Sequence, residues 1–410
     1  MKKFFALLLS LAMVLALVAC GQKDPTPDTP DTPDDPQTKV EYKVAMITDY
    51  GDITDQSFNQ TTYEACKAFA EDNSIEFSYF KPAGDNTADR VAMIEKAVDE
   101  GFNVIVMPGY AFGGAIVEAA PEFPDVKFIA LDVAAGDLLE TAVAKAGETY
   151  DYTPENWDLN KYVDMSNVYC AVYQEELCGY MAGYAAVKLG YKNLGFLGGM
   201  SVPAVVRYGY GFVQGVDAAA ADLGLTDVKV NYIYGGQVFG DADITAVMDT
   251  WYQGGTEVVF ACGGGIYTSA VDAAKKVGAK VIGVDVDQAG VIAKYAGVDG
   301  MTVTSAMKGL YPATYDTLTD VIVNGNWDKY VGKIATLGLV SGTDPEANYV
   351  QIPMGDGTQW SDSFTQDDYK AMVKDMFDGK ITVSNNTSSD VSAADFATVI
   401  TVDDQGSIKG

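Results

Sequence analysis

Short, continuously apolar runs alternate with helix-length amphipathic stretches along most of this chain, and the series occurs twice. "YKVAMIT" (42–48), "IEFSYF" (75–80), "NVIVMP" (103–108), "VKFIALD" (126–132) and "NVYCAVY" (167–173) read as strands. Helical stretches fall near 58–72, 87–100 and 111–120. "NLGFLGG" (193–199), "VKVNYIY" (228–234), "EVVFACG" (257–263), "KVIGVDVD" (280–287) and "GMTVTSA" (300–306) repeat the pattern, with helices filling the gaps. In 174–190, Leu177, Met181, Tyr184, Ala185 and Leu189 share one helical face. Strands without alternation, joined by helices, imply parallel sheets covered on both sides.

The units divide into two sets of about five, so the expected fold is α/β with two doubly wound parallel-sheet lobes. The N-terminal lobe is expected over 40–173 plus about 304–329, and the C-terminal lobe over 174–303 plus about 330–380. The chain then crosses between lobes near 174, 303 and 330. The stretch 133–166, polar and Tyr-rich ("GETYDYTPENWDLNKYVD"), breaks the rhythm and reads as a surface insertion. "GKIATLGLVSG", "YVQIP" and "YKAMVKDMFDG" suggest two more strands and a closing helix; 381–410 has no assigned structure.

The start of the chain bears on location. "MKKFF" followed by "ALLLSLAMVLALVA" has the charged and apolar regions of a secretory signal, expected over 1–19. "LVAC" resembles the bacterial lipobox, which makes Cys20 the expected lipidation site and places the mature chain on the extracytoplasmic face of a membrane by acyl chains. Residues 21–38 hold five prolines and five aspartates, a composition that buries no core, so 20–39 is expected to be a solvated tether. A net charge of −30 argues against nucleic acid or an anionic surface as partner. The remaining cysteines, Cys66, Cys170, Cys178 and Cys262, follow no metal-binding spacing and read as buried small hydrophobes, with Cys170–Cys178 a conceivable pair. The absence of histidine excludes Ser-His-Asp and Cys-His nucleophile systems and the usual His-bearing zinc sites. No cofactor or metal is expected.

Acids terminate the strands. Asp49, Asp132 and Asp285 each follow an apolar run, and "TDYGDITDQSFNQ" (48–60) concentrates acid and polarity where a strand hands over to a helix. In open α/β sheets the carboxyl ends of the strands form the ligand-facing edge, and two such edges make a cleft. Carboxylates there accept hydrogen bonds from hydroxyls. Phe58, Tyr110, Phe260 and Tyr267 offer flat faces near the same edges. Hydroxyls beside a flat ring describe a nucleoside, or a sugar held against aromatics. Gly263–Gly265 reads as a tight turn or close backbone approach before a phosphate cradle. Each residue also has a structural reading: Asp49 as a helix cap, Phe58 as core, Asn59 and Asp132 as partners of loop backbone, Lys308 as a solvated helix residue.

"TDYGDITDQSFNQ" resembles the signature of the basic membrane protein family, the substrate-binding lipoproteins that include the purine nucleoside receptor A proteins. "YQEELCGYMAGYAA" (173–186), "GFLGGMSVPAVVRYGYGFVQGV" (195–216), "IGVDVDQ" (282–288) and "TSAMKGLYPATYD" (304–316) match further family segments in order, and the resemblance covers about 42–380. It implies the two-lobed type I periplasmic binding protein fold and a non-catalytic role, delivering nucleosides to the permease of an ABC importer. Carried across, it implies ligand binding by Asp49, Asp55, Phe58, Asn59, Asp132, Asp285 and Lys308. Phe58 would stack on the base, while Asp285 and Lys308 would hold the ribose. The second stacking aromatic is expected to be Phe260, with nearby Tyr267 as the alternative. Asp52, Thr54 and Gln56 depart from the family pattern. Alternatives are a sugar-binding protein, a surface sensor or adhesin, and a nucleoside hydrolase using paired carboxylates.

Overall fold

The computed structural model describes residues 41–409; the expected signal segment 1–19, the Cys20 lipidation site and the tether 20–39 lie outside the described residues. The first lobe opens β1 (Lys43–Ile47), α1 (Phe58–Asn73), β2 (Glu76–Phe80), α2 (Thr87–Asp99), β3 (Val104–Pro108), α3 (Phe112–Ala119), β4 (Lys127–Leu131), α4 (Ala135–Lys145), the single turn α5 (Leu159–Tyr162) and β5 (Val168–Tyr173). The second follows as α6 (Glu175–Lys188), β6 (Asn193–Gly198), α7 (Pro203–Leu223), β7 (Lys229–Tyr234), α8 (Ala242–Gln253), β8 (Val258–Cys262), α9 (Tyr267–Val277), β9 (Lys280–Asp285), α10 (Ala289–Ala296) and β10 (Thr302–Lys308). α11 (Leu310–Leu318), β11 (Lys333–Leu337), β12 (Val350–Gln351), α12 (Gln366–Phe377) and β13 (Thr401–Ser407) complete the described chain.

Two sheets result, ordered β11-β5-β4-β3-β1-β2 and β12-β10-β9-β8-β6-β7-β13. All ladders are parallel except β10 with β12. The central strands are apolar and buried on both faces, as β3 and β8 show throughout their lengths. Every strand and helix expected in the two series is present. In each sheet the order reverses between the first and third strands, β1/β3 and β6/β8. That reversal opens a crevice at the carboxyl ends where ligands of such sheets bind.

Three segments cross between the sheets, and two do so later than expected. The first is at Gln174, as expected. β10 stays in register with β9 (Ala306 with Val284, Met307 with Asp285), so the second crossing falls at Gly309, not 303. α11 then packs on α1, where Tyr315 donates to Asp72 at 2.7 Å and meets Phe69 edge-on. β11 pairs with β5 from Lys333 to Leu337, which puts this strand in the first sheet and moves the third crossing beyond 337. The crossing segments bond to one another: Gln174 N–H to Leu337 O, Tyr349 N–H to Gly338 O and Gly309 N–H to Tyr349 O, at 2.7–3.0 Å.

The stretch 133–166 is less of an insertion than its polarity suggests. α4 occupies its first part and buries Leu138, Leu139, Ala142 and Val143, one face at helical spacing. Only the remainder is additional: Tyr150, Trp157 and Tyr162 form an aromatic cap over Leu139 and Val143. Segment 381–409, without a sequence reading, ends in β13 paired to β7. Cys66, Cys170, Cys178 and Cys262 are all buried and free, so Cys170 and Cys178 do not pair.

Near the cleft, glycines let two helices of the second lobe approach closely. Gly179 and Gly183 on α6, and Gly211 and Gly215 on α7, bring the two backbones into contact. A Cβ at Gly211 would lie 2.1 Å from Glu176 O, and one at Gly215 would lie 2.1 Å from Tyr180 O. This packing fixes the start of α6, with Glu175, against the start of α7, with Arg207 and Tyr208.

Candidate ligand-binding cleft

The β1–α1 junction is built by its acids. Asp55 accepts from the backbone N–H groups of Ser57, Asn59 and Gln60 at 2.9–3.1 Å, so its carboxylate caps α1 where four N–H groups lack helical partners. Asp49 accepts from Gly51 N–H at 2.6 Å and from Asn59 Nδ2 at 3.1 Å. Burial pushes the Asp49 carboxyl up to about 6 despite those bonds. Asn59 Nδ2 also donates to Asp55, while Asn59 Oδ1 is buried and has no partner.

Asp132 follows β4 and Asp285 ends β9, the same position in each sheet. Both take left-handed backbone, φ 58° and 65°, a conformation Asp tolerates better than most side chains. Lys308, at the end of β10, lies between them. Its Nζ is 2.5 Å from Asp132 Oδ2, 3.5 Å from Glu175 Oε1 and 3.7 Å from Asp285 Oδ1. Burial alone would lower the lysine's pKa, but the three carboxylates outweigh it and hold the ammonium charged well above the usual range. Phe58 lies with its ring centroid 4.7 Å from the same Nζ, a cation–π contact. Glu175 is wholly buried and also accepts from Arg207 Nε at 2.7 Å. Asp132 Oδ1, like Asn59 Oδ1, is a buried acceptor without a partner.

All of these groups but Glu175 line one cavity of about 430 Å³ between the two sheet edges. Eight of the expected residues meet there: Asp49, Asp55, Phe58, Asn59, Tyr110, Asp132, Asp285 and Lys308. Phe260 does not. Its ring is fully buried against Phe196, Tyr208 and Phe212, because β8 turns that side chain into the core. Tyr267 is also absent from the wall; it packs edge-on to Tyr295. The exposed aromatic that the second lobe presents on this wall is Phe239, 59% exposed on the loop after β7. Sequence reasoning passed over it, together with Tyr50, Asp137, Arg207 and Tyr208 on the same wall. Arg207 and Tyr208 lie inside the quoted "VPAVVRYGYGF", and Phe239 follows a strand whose carboxyl end faces the cleft, so the signal was available. Gly263–Gly265 makes a close approach: a Cβ at Gly264 would lie 2.8 Å from Val238 O, and Gly265 N–H donates to that oxygen at 2.8 Å.

The lobes also touch directly. Ser57 Oγ donates to Asp285 Oδ2 at 2.5 Å, and Gln288 Nε2 donates to Gln56 O at 3.2 Å. Gln56 takes left-handed backbone, φ 58°, to aim that carbonyl across the gap.

A two-lobed cleft of this construction has known counterparts. The sequence model of the Bmp family, described as ABC transporter substrate-binding protein PnrA-like, matches residues 42–345. The chain belongs to this family. PnrA-like proteins are substrate-binding components of ABC transporters, not enzymes. The chain is 25% identical over 389 residues to the ABC transporter nucleoside-binding protein BmpA of Lactococcus lactis subsp. cremoris, covering 92% of this chain and 96% of BmpA. It is 26% identical over 320 residues to an uncharacterized lipoprotein of Pyrococcus abyssi, covering 74% of this chain and 69% of that one. In fold it resembles an ABC transporter solute-binding protein from Aeropyrum pernix K1, with a TM-score of 0.63 at 18% identity over 85% of this chain and 95% of that one. The PnrA-like chain therefore has the two-lobed type I periplasmic binding fold.

Proposed function

We propose that this PnrA-like protein binds a nucleoside, purine in first preference, between its lobes and presents it to an ABC importer. The observation that carries this reading is the pair of buried, unpartnered acceptors, Asn59 Oδ1 and Asp132 Oδ1, on the wall of the cavity. A buried acceptor without a donor costs about 1–3 kcal/mol, and a ligand bearing O–H or N–H groups removes that cost. Lys308 and Asp285 stand beside them to hold ribose hydroxyls, while Phe58 and Phe239, one from each lobe, supply flat faces for the base. A cavity of about 430 Å³ is ample for a nucleoside.

Charge favours nucleoside over nucleotide. Six aspartates line the cavity (Asp49, Asp52, Asp55, Asp132, Asp137, Asp285) against three cations. Each cation is already paired: Lys81 with Asp52, Arg207 with Glu175, Lys308 with its three carboxylates. A phosphate would find no unpaired cation among the described residues of the wall. The reading includes lobe closure about the segments at 174, 309 and 338–349, with the Ser57–Asp285 and Gln56–Gln288 contacts favouring the closed arrangement. It also includes a lipid anchor at Cys20, which the lipoprotein name of the Pyrococcus relative supports.

A thermal-shift screen of residues 40–410 against nucleosides, bases, nucleotides and sugars tests it. A ligand that binds only the folded state at ~100 times its Kd adds roughly 2.7 kcal/mol. Nucleosides alone are expected to raise the melting temperature; stabilisation by a sugar or nucleotide instead would reassign the ligand.

A further inference from the structure

Segment 381–409 lies beyond the family match at 42–345, yet it is tied to the wall of the cleft. The buried carboxylate of Asp217 on α7 accepts from the N–H groups of Thr398, Val399 and Ile400 at 2.8–3.3 Å and from Thr398 Oγ1 at 2.6 Å. Upstream, Tyr210 of the same helix donates to Val391 O at 2.8 Å and packs against Phe396. From that anchor β13 runs alongside β7 and covers what would otherwise be an open sheet edge. Ile408 N–H donates to Tyr234 O at 2.8 Å, the last residue of β7.

The strand thus delivers Lys409 to the loop that carries Phe239. Lys409 Nζ donates to Gln237 Oε1 at 3.0 Å and pairs with Asp241 Oδ2. Gln237 Nε2 in turn donates to Phe239 O and to Asp241 Oδ2, both at 2.9 Å. Gly236 accommodates the approach: a Cβ there would lie 2.6 Å from Lys409 O, and its φ of 78° suits glycine. On the opposite side Gly265 N–H donates to Val238 O and Gly236 N–H to Gly199 O, both at 2.8 Å, and Asp241 N–H donates to Ser269 Oγ at 3.0 Å. Phe239 lines the cavity and is mostly exposed, so its position is set largely by its backbone, whose carbonyl accepts from Gln237, the side chain that Lys409 holds.

We propose that residues 398–409 are a strap that positions the Phe239 loop, and that Lys409 is a positioning residue for ligand binding. The strap makes no contact with the ligand. It lowers the ordering cost of the loop, so affinity gains from preorganisation. The inference rests on the reading that Phe239 faces a flat-ringed ligand, and the test separates the two.

The test is calorimetric titration of guanosine and adenosine into wild type, Lys409→Met, Lys409→Glu and Lys409→Arg, each also in a Phe239→Ala background, with hydrogen exchange measured on the ligand-free proteins. Lys409→Met is expected to weaken binding about three- to tenfold, Lys409→Glu further through repulsion from Asp241, and Lys409→Arg to stay within about twofold of wild type. In the Phe239→Ala background, Lys409→Met should add no further loss, which a merely structural role would not produce. Exchange should quicken at 237–241 and stay unchanged in the sheet. Unchanged affinity in Lys409→Met, or additive losses in the double variant, overturns the proposal. If wild type binds neither nucleoside, the ligand reading fails, and exchange alone decides the strap: faster exchange at 237–241 in Lys409→Met upholds it and unchanged exchange overturns it.

Discussion

Asp132 and Asp285 are equivalent residues of the two lobes: each follows the same strand position of its sheet, each takes left-handed backbone, and both reach Lys308 Nζ, at 2.5 and 3.7 Å. Left-handed backbone costs a non-glycine residue on the order of 1–2 kcal/mol. Two such residues converging on one buried ammonium make Lys308 a direct link between the two lobes at the cleft. Glu175, held by Arg207, sits behind it at the first crossing segment.

Asp285→Asn keeps the shape and tolerates the backbone, while removing the charge that faces Lys308 and the strong acceptor for Ser57. The folded protein should lose only about 1–3 kcal/mol, because Lys308 retains Asp132 and Glu175. Ligand affinity should fall at least about tenfold. Denaturant melts paired with calorimetric titration measure both.

The aromatics separate by role. Phe239→Ala should leave melting unchanged, since the ring is exposed, and weaken nucleoside binding by about 1–3 kcal/mol, as loss of a base-stacking face does. Phe58→Ala should weaken binding similarly and also release the contact with Lys308. Phe260→Ala should instead destabilise the fold by about 3–5 kcal/mol through a core cavity among Phe196, Tyr208 and Phe212. Melting curves and titrations of the three variants give the pattern.

Stability of the ligand-free protein should fall as pH rises from about 4 to about 7. Burial raises Asp49 to about 6, and raises Asp137 and Glu176 each to about 7. Between the unfolded carboxylate value and those values the folded state holds protons that the unfolded state has lost. The contribution is therefore complete below the unfolded pKa and gone once pH passes the folded one. Asp49→Asn should flatten the lower part of this profile, and Asp137→Asn the upper part, in melts recorded at closely spaced pH values.

Gly211→Ala should destabilise the second lobe, because its Cβ meets the Glu176 carbonyl at 2.1 Å and one helix must shift. Overpacking of this kind costs about 1–3 kcal/mol or more. The displaced start of α6 carries Glu175 with it, so affinity should drop along with the melting temperature. An exposed control, Gly190→Ala, meets nothing within 4 Å, though its φ of 104° adds local strain.

The strands were legible because parallel strands buried on both faces carry their signal locally, and Asp49, Asp132 and Asp285 were legible as acids at strand ends. What was missed depends on distant partners. Nothing inside "KIATL" says that it pairs with β5, and nothing inside "TSAMK" keeps it beside β9 until Lys308. Phe260 stands near a strand end but on the face that β8 turns inward, so proximity in sequence misled where side-chain direction decides. β13 is polar and mostly exposed, and it is a strand through β7 and Asp217, residues far along the chain. The strand ends pointed to a cleft and the family resemblance to its residues; the geometry supplied Phe239.

The most direct measurement is calorimetric titration of guanosine, guanosine 5′-monophosphate and ribose into wild-type protein and into Asp132→Ala. The account predicts saturable one-to-one binding of guanosine to wild type, none of the monophosphate or ribose at the same concentrations, and loss of guanosine binding in the variant. Binding of the monophosphate as tight as that of guanosine, or guanosine binding that survives Asp132→Ala undiminished, would contradict it.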